Sequence, residues 1–353
     1  MTQKPNPSMI ILAREARGIT QKDLAATIGI NQGTLSKLEG GMGEITVEHL
    51  NKLSETLNYP VAFFLQQGHV YPLGQNYYRK NKSVPKKVLT RINAEINIRR
   101  IHIQNLLRSV DVGTDKIRHL EIDGEHYKSA SDIASAIREF WNLPHGPIDN
   151  MTRVLEDAGI LVVHCTFGTN KFSGVRVVTE DGHFAVFVNA DMPGDRLRFT
   201  LAHELGHIIM HMLPSEKMED EAHEFASEFL MPADQVRSQL YTLNFEKLGF
   251  LKRFWKVSIS SLVVRARDLG TISKRHADHL WINIGKRGYR REEPAELAIP
   301  QEKPSLLKEV IDVHLAELGY AEEELIDTLC MPHWEFNEWY AEPKKGLQLL
   351  KVR

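Results

Sequence analysis

The run His203-Glu-Leu-Gly-His207 constrains this chain more than any other five residues. Residues i and i+4 of an α-helix lie on one face, one turn apart. Two imidazoles so placed can chelate one zinc ion, and the glutamate between them can then take a proton from water held at the ion. Zinc lowers the pKa of water from about 15.7 to about 7, which makes hydroxide available at neutral pH. The neighbouring sequence suits a helix. Arg196–Ala202 is helix-compatible and half apolar, and Leu201, Leu205, Ile208 and Ile209 supply a buried stripe. A predicted strand, Phe184–Asn189, lies upstream to wall a cleft.

A catalytic zinc needs a third protein ligand and one open position. The residues alone leave several candidates. His211 continues the i+4 series, but eight residues of helix rise about 12 Å, so it reads as a hydrogen-bonded neighbour of the site. No glycine and third histidine follow at metzincin spacing. The next predicted helix, Glu219–Leu230, offers Glu219, Glu221, Glu224 and Glu228. The last three read as a solvated acidic face. A carboxylate from a second helix packed antiparallel to the first is the gluzincin solution.

The segments Arg198–His211 and Glu219–Pro232 together resemble the ImmA/IrrE family of metallopeptidases, and the resemblance extends over about residues 75–300. It implies that Glu219, first in an E-x-x-A-x-x-F-A run, is the third ligand beside His203 and His207. Ala222 and Phe225-Ala226 stand in register. His223 replaces the Asn or Asp usual at that place and, with His211, is a candidate to orient a ligand. The resemblance implies an α+β zincin-like fold of gluzincin type, a Zn2+ cofactor and amide hydrolysis. Glu204 would move a proton from water to the leaving nitrogen. His211, His223 and Arg198 are the candidates to stabilise the oxyanion. A degenerate peptidase fold kept as a non-catalytic sensor is the alternative.

The first 68 residues have a different texture. Met9–Arg17, Gln21–Thr27, Gln32–Glu39, Val47–Leu57 and Pro60–Gln66 read as short helices. Thr20, Asn31 and Thr46 sit where N-caps belong, and Gly18, Gly29 and Gly40-Gly41 mark stops. Thr20–Gly40 has helix-turn-helix spacing, with Leu24, Ala25 and Ile28 facing Ile30, Leu35 and Leu38. Residues 9–66 resemble the XRE/phage-repressor family. That resemblance implies double-stranded DNA as partner, an operator bound as a homodimer, and base reading from the second helix. The candidate contacts are Gln21, Asn31, Gln32, Thr34, Ser36 and Lys37. Gln32 suits adenine and Lys37 suits guanine, while Gly33 offers no reading side chain. A helical docking or oligomerisation module is the alternative.

Charge is distributed unevenly. Residues 1–68 carry six basic and six acidic side chains; residues 69–110 carry nine basic against Glu95 alone; residues 201–240 carry eight acidic and two basic. A neutral reader lacks the cations that duplex affinity needs, and the basic helix over 79–108 can supply them or lie as a solvated face. His69–Tyr78 reads as a strand. Ala130–Trp141 and Ile148–Ala158 read as helices and Gly159–Cys165 as a strand. Residues 246–290 are helical, and Trp255–Gly270 reads as a second helix-turn-helix, taken as structural or substrate-docking. Pro294, Pro300 and Pro304 mark a linker or wrapped segment before helical Leu306–Tyr340.

The expected organisation is therefore multidomain. An all-α helix-turn-helix domain (1–68) precedes a basic linker and long helix (69–128). A zincin-like peptidase domain (129–245), a helical module (246–292) and a helical C-terminal extension (293–353) follow. Two distant cysteines, the lack of an apolar leader and the lack of any apolar run near 20 residues point to the cytoplasm and away from membranes. The expected activity is regulation of transcription with cleavage of a protein such as a repressor.

Overall fold

The computed structural model describes residues 4–67, 70 and 84–340. They form two compact units: residues up to 111 together with those from 308 onward, and residues 112–307. No helix among the described residues is long and apolar enough to cross a membrane. The predicted strand His69–Tyr78 and the cations Arg79, Lys80 and Lys82 lie outside the described residues, Val70 excepted.

The first unit opens with α1 (Pro7–Ala16), α2 (Gln21–Ile28), α3 (Gln32–Glu39), α4 (Val47–Leu57) and α5 (Val61–Leu65). The starts follow from side-chain caps. Thr20, Asn31 and Thr46 each accept the main-chain N–H three residues on, an N–H with no partner inside the helix. Gly29 stops α2 at φ +78°, a left-handed conformation that costs glycine nothing. Met9, Leu12, Leu24, Ala25, Ile28, Leu35 and Leu53 share one core. Glu39 is buried beneath α1, where its carboxylate accepts from Arg14 (2.6 Å) and from the Gln21 amide (2.7 Å).

The long helix α6 (Lys86–Leu107) packs along α1 and sends Ala94, Ile98 and Ile101 into that core. This corrects the expectation of a solvated or DNA-facing face for Arg99 and Arg100, whereas Lys86, Lys87 and Arg108 are exposed. Arg99 and Arg100 are 8% and 2% exposed, and Arg91 pairs with Glu95 at 3.1 Å. Apolar residues on every side of the helix outweigh the charge.

In the second unit, residues 112–129 run without regular structure but are tied in, with Leu120 N–H donating to the Ile209 carbonyl. Then come α7 (Ala130–Phe140), opened by a Ser129/Asp132 capping box, and α8 (Met151–Glu156). Three strands follow: β1 (Leu161–Cys165), β2 (Gly174–Val178) and β3 (Phe184–Asn189). Their order is β1-β3-β2, with β1 parallel and β2 antiparallel to β3. One sheet face, with Val162, Val186 and Val188, packs into a core with α9 (Gly194–Met210) and α10 (Met218–Leu230). A short α11 (Ala233–Val236) leads to α12 (Phe245–Trp255), α13 (Ile259–Asp268) and α14 (Lys274–Lys286). The unit is helix-rich with a small sheet.

The proline-rich segment after α14 is wrapped. Gln301 Nε2 donates to the Ala190 carbonyl (2.7 Å), and Glu302 accepts from Arg198 and from Thr152 N–H (2.8 Å). The N–H groups of Ser305 and Leu306 donate to Glu156 at 2.9 Å. Carbonyls of Ile299 and Pro300 lie so close over Gly194 that no Cβ fits there. Helices α15 (Leu306–Ala316), α16 (Glu322–Leu329) and α17 (His333–Trp339) follow. Glu335 of α17 is buried in the first unit, where it pairs with Arg17 at 2.7 Å and accepts from the Tyr59 hydroxyl at 3.2 Å.

Candidate metal centre

Helices α9 and α10 place the site. They are the most closely packed helix pair in the second unit because Gly206 has no side chain: a Cβ there would stand 3.1 Å from two atoms of the buried Phe225 ring. This approach brings Glu219 of α10 over His203 and His207 of α9. The two histidine Nε2 atoms are 3.1 Å apart, and the Glu219 oxygens lie 3.4 Å from one and 3.5 Å from the other. Tetrahedral ligands at about 2.0–2.1 Å from a zinc ion stand about 3.3 Å apart. The donor set and its spacing therefore fit zinc. Among the described residues these three form the one group of His, Cys, Asp or Glu side chains so converged. Both histidines are buried, whereas the Glu219 side chain is 38% exposed, so the site opens beside it.

His211 ends α9 and lies against His207, Nδ1 to Nδ1 at 2.9 Å, with its Nε2 3.0 Å from Glu221. The proton positions follow by elimination. An ionised carboxylate only accepts, so His211 donates from Nε2; neutral His211 then accepts at Nδ1 from His207 Nδ1–H. The lone pair of His207 Nε2 is left facing His203 and Glu219, as a metal ligand requires. Burial lowers the His211 pKa, while Glu221 acts in the opposite sense. The orienting role predicted for His211 fits this geometry. His223 is exposed, donates to the Glu219 carbonyl at 2.8 Å, and sets its ring edge-on to His203 at 4.5 Å.

Glu204 points toward β2, where its Oε2 accepts from Arg176 N–H at 3.1 Å. The Arg176 guanidinium donates to the His211 carbonyl at 2.8 Å. One residue of the edge strand thus holds both the candidate base and the end of the metal-site helix. Burial lowers the Arg176 pKa and the Glu204 carboxylate raises it. Sequence reasoning missed both β2 and Arg176; the alternation in Gly174-Val-Arg-Val-Val178 is the signal that was there to find.

Two expectations are corrected. Arg198 is no oxyanion candidate: it is fully buried and bound to Glu302 and to the Ile148 carbonyl, away from the histidines. Nor do Glu221 and Glu228 lie on a solvated face, whereas Glu224 is exposed. Glu228 is buried against Arg265 and Ala233 N–H, Glu221 holds His211, and Glu224 accepts from Ser131 N–H at 3.1 Å. An arginine 37 residues along the chain cannot be inferred from helix periodicity.

In the first unit, Gln32, Thr34, Ser36 and Lys37 lie exposed on α3. Asn31 is also exposed, but its Oδ1 caps Thr34 N–H at 2.8 Å, and the Gln21 amide is held by Glu39. Both have donors or acceptors already engaged.

Residues 155–267 match a peptidase family whose description is IrrE N-terminal-like domain, and residues 10–64 match the helix-turn-helix family. The chain joins a helix-turn-helix domain to an IrrE N-terminal-like domain. The IrrE-like match takes in β2, α9 and α10, and so every residue of the candidate centre. Two uncharacterized HTH-type transcriptional regulators, from Sinorhizobium medicae (strain WSM419) and Rhizobium meliloti (strain 1021), are each 34% identical over 70 residues. That is 18% of this chain and 50% of each relative, so the chain spans about half the length of the curated relatives it matches.

Proposed function

We propose that this protein is a cytoplasmic, DNA-binding transcription regulator whose second unit is a zinc-dependent endopeptidase of zincin-like, gluzincin type. The convergence of His203, His207 and Glu219 on α9 and α10, with Glu204 beside them, carries the reading. Its protein substrate is a regulatory protein such as a repressor. The helix-turn-helix domain binds a duplex operator as a homodimer, through Gln32, Thr34, Ser36 and Lys37, with Gln21 and Asn31 positioning the helix.

A zinc ion held by His203, His207 and Glu219 would supply Lewis-acid polarisation of a peptide carbonyl and activation of water. The chain's own residues do the rest. His207 is kept in its ligand tautomer by His211, which Glu221 orients in turn. Glu204 Oε2 is held by the Arg176 N–H, which leaves Oε1 to take a proton and return it to the leaving nitrogen.

Elemental mass spectrometry of the purified protein tests the ligand set. About one zinc per chain is expected, and its loss in a His203→Ala/Glu219→Ala double variant. No metal in the wild type after zinc reconstitution would overturn the reading and leave a sensor fold. Glu204→Gln should keep the zinc and stop cleavage of a co-expressed repressor substrate; full proteolysis by that variant would remove Glu204 from the mechanism.

A further inference from the structure

The helix-turn-helix domain is electrically neutral, and α6 buries Arg99 and Arg100 while Lys86, Lys87 and Arg108 stay exposed. A denser group of cations lies elsewhere. Residues 245–291 carry twelve lysines and arginines against three acidic side chains. Two of the twelve are internal: Lys252 is buried against Asp195 and Glu293, and Arg265 against Glu228. Lys274, Arg275, Lys286, Arg287, Arg290 and Arg291 are all exposed, and none has a carboxylate partner among the described residues.

Their placement is ordered. Helices α13 and α14 are joined by a short turn, with Gly270 at φ +68°. Ala277, Leu280 and Ile284 bury one face of α14. The opposite face shows Arg275 at its start, Asp278, His279 and Ile282 in the middle, and Lys286 at its end, with Lys274 exposed at the flank of the first turn. Arg275 and Lys286 share that face eleven residues apart, about 16 Å along a helix. The major groove of duplex DNA is about 12 Å wide, with a phosphate chain on each rim. A helix lying across it puts both cationic ends over phosphates and the less charged middle over the bases. Arg287 is backed by the rings of Phe245 and Tyr289, with its guanidinium 4.4 Å and 6.0 Å from their centroids, which fixes the charge in place.

We propose that the exposed face of α14 and the turn after it, Lys274–Arg291, is a second duplex-DNA contact, made to phosphates on both rims of a major groove and independent of sequence. The face lies beyond Trp255–Gly270, on the helix that follows it. The duplex is favoured over an acidic protein because the cations at the two ends of α14 are far enough apart to reach phosphates on both rims of the groove, and the chain already carries a helix-turn-helix domain. The proposal does not rest on the peptidase reading.

The test is fluorescence anisotropy of the full chain with a mixed-sequence duplex of 24 base pairs, between 50 and 200 mM salt. Each lost phosphate contact lowers the slope of log K against log salt by about 0.9. Lys274→Ala/Arg275→Ala/Lys286→Ala/Arg287→Ala should lower it by up to about 3.6 and weaken binding at least tenfold at 100 mM. All four side chains are exposed, so the far-ultraviolet circular dichroism should not change. Lys274→Arg/Lys286→Arg should bind as the wild type does. An unchanged slope and affinity in the quadruple variant would overturn the proposal. So would unchanged duplex binding together with lost binding to poly-glutamate, which would assign the face to an acidic protein.

Discussion

Gly206→Ala separates two effects of opposite sign. Alanine in a helix interior is favoured over glycine by about 1 kcal/mol. The added methyl, however, meets Phe225 at 3.1 Å, and that ring is buried and stacked on Phe229 at 5.4 Å. It cannot swing aside, so α9 and α10 must part by a few tenths of an ångström. Overpacking of this kind costs about 1–3 kcal/mol, and the net expectation is a loss of about 1 kcal/mol. The larger consequence is at the metal centre, because Glu219 rides on α10 and the two histidines on α9. Metal sites tolerate about 0.2 Å of ligand displacement, so zinc affinity should fall by roughly tenfold, a figure at the low end for disturbed metal-site support. Hydrogen–deuterium exchange of the α9 and α10 amides reads the stability of this unit separately from the N-terminal one, and chelator competition reads the affinity. Slower exchange with unchanged zinc affinity would refute the argument, since the propensity gain would then be acting with no steric wall.

Three further outcomes are expected. His211→Phe removes the acceptor for His207 Nδ1–H and should weaken zinc binding by about 10–100-fold without removing a ligand; chelator competition checks it. Glu39→Ala leaves the half-buried Arg14 with only the longer Glu15 contact (3.5 Å) and the Ile19 carbonyl, and should destabilise the helix-turn-helix domain by about 2 kcal/mol in urea unfolding. His102, fully buried, is held at a pKa of about 3 by desolvation, helped by the charge on Arg99. Its folded pKa lies below the unfolded value of about 6.5, so the unfolded chain binds the extra proton and stability is lost as pH falls below 6.5. Between pH 7.5 and 5.5 the first unit should lose about 1.4 kcal/mol through this group. Urea unfolding at the two pH values, beside His102→Asn, measures it; equal slopes in both proteins would refute it.

The helix-turn-helix domain was legible because its signals are local. Thr20, Asn31 and Thr46 cap the main chain three residues away, and Gly29 sits where only a left-handed residue ends the turn. The histidine pair was legible for the same reason, since one helical turn fixes it. Arg176 was not, because its importance comes from the edge position of β2, which pairing with β3 alone creates. Arg198 and Glu228 were misread because each is neutralised by a residue far along the chain, Glu302 and Arg265. The basic helix misled in another way: charge counted along sequence takes no account of what is buried, and Arg99 and Arg100 are.

The strap over the start of α9 decides where this molecule can be divided. Glu302 is the counter-charge of Arg198, and Glu156 is answered by the main chain of Ser305 and Leu306. A chain ended after the last helix before the prolines would leave a fully buried guanidinium with carbonyls alone, at a cost of several kcal/mol. It would also uncover the N-terminal end of the helix that carries both histidines. The smallest self-sufficient piece bearing the metal centre therefore extends to about residue 306, some forty residues beyond the stretch that its family likeness marks out.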